Sequence, residues 1–170
     1  MPDRTVAAAP VTVHATAVVV GADTVLLRGP SGSGKSRIAL ELIAEAERRG
    51  RWAALIGDDR VVLSAVSGHL VARPAPTIAG HVELRGVGIL AVPHEPAGVV
   101  SLVVDFVSDP PDRLPLPEDT TEFVDGVLLP RLAMWREDRS AVLKVWMALA
   151  VAAEARTARP QFVGPFDKDT

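Results

Sequence analysis

Residues 29–36 read Gly-Pro-Ser-Gly-Ser-Gly-Lys-Ser and fill every fixed position of the pattern G-x-x-x-x-G-K-[ST]. That pattern constrains the fold because it works only between a strand and a helix. Upstream, Thr16 to Val20 is β-branched and apolar, Gly21-Ala22-Asp23 is turn chemistry, and Val25 to Arg28 reads as a second strand. Downstream from Lys35 the apolar period becomes helical: Ile38, Ala39, Leu42, Ile43 and Ala46 share a face, and Glu41, Glu45, Glu47 and Arg48 oppose it. Gly50 is the expected stop. Phosphate oxygens need several backbone N–H donors converging on one point. Glycines permit that curvature, and the helix adds free N–H groups and its positive dipole end. Gly29, Pro30, Ser31, Gly32, Ser33, Gly34, Lys35 and Ser36 are therefore read as a nucleotide-phosphate cradle. Lys35 supplies the cation and the Ser36 hydroxyl a ligand for magnesium.

Farther along, Ala53 to Ile56 forms a short apolar run that ends in Gly57-Asp58-Asp59. Val61 to Val66 and Leu70 to Ala72 flank Ser67-Gly68-His69 and predict a hairpin. Residues 81–92 mix apolar positions with Glu83, Arg85, Gly86 and Gly88. Val99 to Val107 has the continuous apolar character of a central strand covered on both faces. Residues 109–119 hold four prolines and read as a linker or flap, and Ser140 to about Ala155 as a helix capped by Asp138 or Ser140. The sum is an α/β domain with a central sheet flanked by helices.

Composition removes several functional classes. Hydrophobic residues make up 48% of the 170, which argues against disorder. There is no cysteine, so disulfides and thiolate metal sites are out. A net charge of −3 offers no positive field for nucleic acid. The first ten residues lack a signal-peptide core, and Ala141 to Ala153 is interrupted by Lys144 and too short to cross a bilayer. A cytoplasmic address without a membrane partner is the expectation. The boundaries expected are an N-terminal extension over 1–12, a catalytic domain over 13–156 and a loose tail over 157–170.

A phosphate loop needs a carboxylate for its metal, and sometimes a base for the acceptor. Acids at the carboxyl ends of strands are the natural source. Asp58-Asp59 and Asp105 both qualify, and spacing does not separate them. If the backbone is extended through Asp58 and Asp59, their side chains point to opposite faces. Glu83 reads by composition as a solvated strand residue. His14, His69, His81 and His94 show no metal-ligand spacing.

Taken together, these residues resemble the catalytic domain of the HPr kinase/phosphorylase family. Val13-His14-Ala15 looks like the family's Leu/Val-His-Gly start, and Gly29 to Ser36 its phosphate loop. Gly57-Asp58-Asp59 is similar to its Ala-Asp-Asp, and Asp112-Arg113-Leu114 to its Asp-Arg-Leu. Val82-Glu83-Leu84-Arg85-Gly86-Val87-Gly88-Ile89 resembles the Glu-Ile-Arg-Gly-Leu-Gly-Ile signature. The resemblance spans about residues 13 to 150, and the family's N-terminal domain has no counterpart in it, which implies the short form.

The resemblance implies a phosphoenolpyruvate carboxykinase-like core and ATP- and Mg2+-dependent phosphorylation of a serine on the phosphocarrier protein HPr. It implies Lys35 on the phosphates, Ser36 and Glu83 as magnesium ligands, Asp59 as the base, and His14 and Arg113 as further active-site residues. It also implies a homo-oligomer with the C-terminal helix near the partner. One segment departs: the family's Pro-Val-Arg-Pro-Gly-Arg-Asn, tied to dephosphorylation, is replaced by Leu129-Pro130-Arg131-Leu132-Ala133-Met134-Trp135-Arg136. Two alternatives keep the loop: a small-molecule kinase, or a nucleotide-binding sensor without turnover. A sensor has no need of an acceptor base.

Overall fold

In the computed structural model, residues 9–157 are described. The N-terminal stretch before them and the expected tail beyond Thr157 lie outside the described residues.

Eleven strands and two α-helices alternate with two short 3-10 turns. They run β1 (Val11–Val13), β2 (Ala15–Val20), β3 (Asp23–Arg28), α1 (Lys35–Arg48), β4 (Ala53–Gly57), β5 (Val61–Val66), β6 (His69–Pro74), β7 (His81–Leu84), β8 (Gly88–Ala91), β9 (Gly98–Val107), β10 (Thr121–Val124), β11 (Val127–Trp135) and α2 (Ala141–Thr157). Val11 and Thr12, assigned to the extension by sequence, pair with β5. The main sheet runs β1-β5-β6-β9-β3-β2-β4, and β11 joins β9 and carries β10. Strand β9 lies parallel to β3 on one side and to β11 on the other. Ligands gather at the carboxyl ends of such parallel strands, and the phosphate loop leaves the carboxyl end of β3.

The sheet is mixed and curls on itself. Along β2, Val18 and Val20 turn to one face, where they meet Ile38, Ala39 and Leu42 of α1 and Val145, Trp146 and Leu149 of α2. Ala15, Ala17 and Val19 turn to the other, against Val61 and Leu63 of β5 and Leu70 and Ala72 of β6. Both helices thus cover one face, and strands β5 and β6 cover the second. The expectation of flanking helices holds for the first face only. A sequence pattern shows that a strand is buried on both sides but does not show what buries it.

Helix α1 begins at the phosphate loop and stops as expected. Gly50 adopts φ +65°. Its N–H donates to the Glu47 carbonyl, and the Arg51 N–H reaches back to Ala46. This pair of bonds is the Schellman closure, which a glycine at that position allows. At the start of α2 the Asp138 carboxylate accepts the Ser140 N–H at 2.7 Å and pairs with Lys144. Lys144 and then Ser140 push the Asp138 carboxyl down to about 2.

Two strand pairs were not read as pairs from the sequence. Residues 81–92 form the separate hairpin β7–β8. The Asp125-Gly126 turn, both residues at positive φ, joins β10 to β11, neither of which was read from sequence. Pro130 hid β11, because proline argues against a strand interior. It is tolerated opposite Thr121, where β10 begins.

Asp105 on β9 sits where three strands meet. It accepts two bonds from Arg28, at 2.7 and 2.8 Å, and one from Arg131 at 2.6 Å. Glu122 completes the cluster through Arg28. Burial alone would raise the Asp105 carboxyl, but the bonds from Arg28 and then Arg131 outweigh it and hold it below the ordinary carboxylate range. The carboxylate's contribution to stability is complete above its unfolded pKa of about 4 and is lost as pH falls through the lower folded value. Asp105→Asn should therefore destabilise the domain by about 2–3 kcal/mol at pH 7 and flatten its loss of stability below pH 4. Chemical denaturation across that pH range checks this, and an unchanged profile would contradict it.

Candidate active site

The loop from Gly29 to Ser36 is shaped by contacts that other residues would not allow. Gly29 has φ +147°, and a Cβ there would lie 2.8 Å from the Phe106 Cβ and 3.0 Å from the Ser33 hydroxyl. Gly34, at φ +96°, is the left-handed residue from which α1 starts.

Lys35 is buried and folds back over its own loop. Its Nζ donates to the carbonyl oxygens of Gly29 at 2.9 Å and Pro30 at 3.0 Å. It lies 3.1 Å from His14 Nε2. Burial lowers the Lys35 ammonium below its ordinary value, while the charges of Asp58 and then Asp59 oppose that shift. An ammonium can only donate, so His14 Nε2 must accept. The His14 proton then sits on Nδ1, which is 3.0 Å from the Asp59 carboxylate. Asp59, His14 and Lys35 thus form one continuous hydrogen-bonded chain across the mouth of a cleft.

Beneath them Asp58 is buried and fully engaged. It accepts the Thr16 hydroxyl at 2.6 Å, the Ser36 hydroxyl at 2.9 and 3.0 Å, and the Glu83 backbone N–H at 3.3 Å. The extended backbone considered for Asp58-Asp59 is not what forms. Strand β4 ends at Gly57, and Asp59 turns to φ +63°. Both carboxylates therefore face the same cleft. Asp58 lies at the floor beside Ser36, and Asp59 at the mouth, 65% exposed.

The cleft, of about 250 Å³, joins His14, Lys35, Ser36, Asp58, Asp59 and Glu83 with the loop glycines. Strand β7 delivers Glu83 from outside the main sheet. Two expectations fall elsewhere. Arg113 is exposed in the proline-rich connection and does not line the cleft. Asp105 is tied to its arginines and also lies outside it. The guanidiniums that do line it are Arg37 and Arg85. An Arg85 nitrogen comes within 4.0 Å of where a Cβ on Gly32 would lie. Arg85 lies in the turn that follows β7, one residue past the strand that carries Glu83. Sequence reading named Asp58 only as half of a candidate pair just past β4, and the resemblance then passed the base role to Asp59.

Among the described residues no group of three or more His, Asp or Glu is arranged to hold a metal. Magnesium asks for less: one or two protein oxygens, with water and substrate phosphates completing its shell. A serine hydroxyl bound to a buried carboxylate, with a second carboxylate on the wall, fits that ion.

Comparison with known proteins places the chain in a family. Residues 5–102 match the family described as HPr Serine kinase C-terminal domain. The chain is 34% identical over 133 residues to the HPr kinase/phosphorylase of Limosilactobacillus reuteri, covering 71% of this chain and 39% of that protein. It is 36% identical over 136 residues to the one from a Thermoanaerobacter species, covering 73% and 42%. The chain thus spans about two fifths of the length of these relatives. The solved Hpr(Ser) kinase/phosphatase of Coxiella burnetii superimposes with a TM-score of 0.68 at 24% identity, covering 86% of this chain and 98% of that one. That likeness bears on the fold.

Proposed function

We propose, because this chain belongs to the HPr serine kinase C-terminal domain family, that it transfers the terminal phosphoryl group of ATP to a serine of an HPr-type phosphocarrier protein. The observation that carries this reading is the chain Asp59–His14–Lys35. It sets a carboxylate with an exposed face 3.0 Å from the histidine that touches the phosphate-loop lysine. A nucleotide sensor without turnover has no use for such an acceptor base.

Phosphates entering the loop compete for Lys35, whose bonds to the Gly29 and Pro30 carbonyls are ones it can exchange. Asp59, at the mouth, accepts the proton of the incoming serine hydroxyl, and His14 orients that carboxylate through Nδ1–H. Magnesium, held by Ser36 and Glu83 with Asp58 ordering Ser36, would offset charge on the phosphates. Arg113 is assigned an active-site role by the resemblance alone. Most of the acceleration comes from position and charge, since the chain forms no covalent intermediate. Incubation with labelled ATP, magnesium and HPr, followed by mapping of the label, tests the assignment. Label on a serine of HPr supports it; label on a metabolite or nowhere contradicts it.

Glu83 allows a separate test. Its carboxylate has no hydrogen-bond partner among the described residues, and it lines the cleft beside Ser36. Glu83→Gln should raise the magnesium requirement more than the ATP requirement, because magnesium favours charged oxygen ligands. An unchanged magnesium titration would return Glu83 to the role of a solvated strand residue.

The reverse reaction is expected to be the weaker one. The segment that differs from the family's dephosphorylation motif is here strand β11, paired in parallel with β9 through residues 131–135. Arg131 is occupied by Asp105. Phosphate-dependent release from seryl-phosphorylated HPr should be slower than its formation. Release by inorganic phosphate at a rate matching the forward transfer would refute this.

A further inference from the structure

The β7–β8 hairpin stands apart from the main sheet, and its two faces meet different surroundings. Val82 is wholly buried in the core that α1 and α2 share. Glu83, the next residue, turns the other way and lines the nucleotide cleft. Ile89 is its direct cross-strand partner. Paired side chains stand together on one face, with their Cβ atoms about 5 Å apart. Ile89 therefore lies at the rim of the cleft, and it is 72% exposed.

The tip of the hairpin adds a second apolar group. Residues 86–88 read Gly-Val-Gly. Both glycines have positive φ, at +82° and +114°, and among the described residues nothing comes within 4 Å of where a Cβ on either would lie. The Val87 N–H closes the turn on the Leu84 carbonyl. Its side chain is 63% exposed, between two residues that have none. Strand propensity accounts for a β-branched residue at position 89, and single exposed hydrophobes are ordinary. Neither accounts for a valine at the apex, where turns favour glycine and small polar residues. Nor do they account for two apolar groups beside a cleft lined by Lys35, Asp58, Asp59 and Arg85.

We propose that Val87 and Ile89 form the docking point for the protein acceptor, seating an apolar patch that flanks its serine. This rests on the protein-serine transfer reading above. Phosphates and magnesium are served by charged and hydroxyl groups inside the rim and gain nothing from two branched hydrocarbons. The acceptor serine comes from outside. Glu83 and Arg85 line the same cleft as Asp59, so a surface that brings a serine to Asp59 meets the hairpin that carries them. Bare glycine backbone on each side of Val87 lets that surface approach closely. An apolar centre with a polar surround is the usual build of a protein interface.

The test is steady-state transfer from labelled ATP to HPr by the whole chain, comparing the parent with the double variant Val87→Ser and Ile89→Thr. The replacements keep a turn former and a β-branched residue at exposed positions, so thermal unfolding should not change. KM for HPr should rise at least about tenfold. The kcat at saturating HPr and the MgATP affinity should both stay within about twofold, because the contact is made equally before and during transfer. Ile89→Val, which keeps the apolar branch, should behave as the parent. If the double variant unfolds early, Val87→Ser alone carries the comparison. An unchanged KM for HPr would overturn the proposal and leave the transfer reading intact. An equal loss of MgATP affinity would put the nucleotide on the hairpin, and a changed sedimentation coefficient would put a second copy of the chain there; either overturns it. No label on HPr from the parent would instead refute the transfer reading, and the docking point with it.

Discussion

Lys35→Ala should abolish measurable phosphoryl transfer while leaving the domain folded. Lys35 is the only lysine before Lys144. Its ammonium is held within 3.1 Å of two loop carbonyls and His14 Nε2. Among the described residues it is the one buried cation lining the cleft, and in the proposed transfer step it follows the charge on the terminal phosphates. Removing a single preorganised group of this kind typically costs about 10²–10³-fold in rate, and removing a full charge costs at least that much. The fold should tolerate the change, because burial disfavours the ammonium in the first place. Circular dichroism and thermal unfolding establish the folded state; transfer from labelled ATP establishes activity. Turnover within a few-fold of the parent would end the phosphate-loop reading.

Asp59→Asn is the second large effect. The change keeps size and polarity and removes only the basic carboxylate. Nucleotide affinity should stay within a few-fold, because Asp59 sits at the mouth and not on the loop. Transfer should fall by about 10²–10⁴-fold, the usual contribution of a general base. Asp58→Asn has a different expected signature. Asp58 accepts the Thr16 and Ser36 hydroxyls and a backbone N–H, so an amide there turns donors against donors. That variant should lose stability and magnesium affinity together. Should Asp58→Asn keep its stability and lose transfer while Asp59→Asn stays active, the base has been placed one residue too late.

Much of this site was legible because phosphate chemistry fixes residue types and spacing together. The loop, the helix after it and the strand before it follow from one eight-residue pattern and two changes of apolar period. The Asp58-Asp59 pair was visible, but its geometry was not. The left-handed turn at Asp59, which brings both carboxylates to one cleft, leaves no periodic mark in the sequence. Arg85 was hidden for a similar reason: it lies in a hairpin outside the main sheet, and its approach to Gly32 depends on how that hairpin docks beside α1. The curl that lays β5 and β6 over the second sheet face is tertiary as well. Strand β11 was hidden by Pro130, a local signal that the position opposite the first residue of β10 overrides.

The most direct test is single-turnover transfer from labelled ATP to HPr at saturating magnesium, with the parent chain and Asp59→Asn run side by side. Nucleotide binding by both is confirmed beforehand. The expected result is label on one serine of HPr with the parent, and the same product formed two to four orders of magnitude more slowly with the variant. Equal rates, or no label on HPr from a parent chain that binds ATP, would contradict the assignment of this cleft as a protein-serine phosphotransferase site.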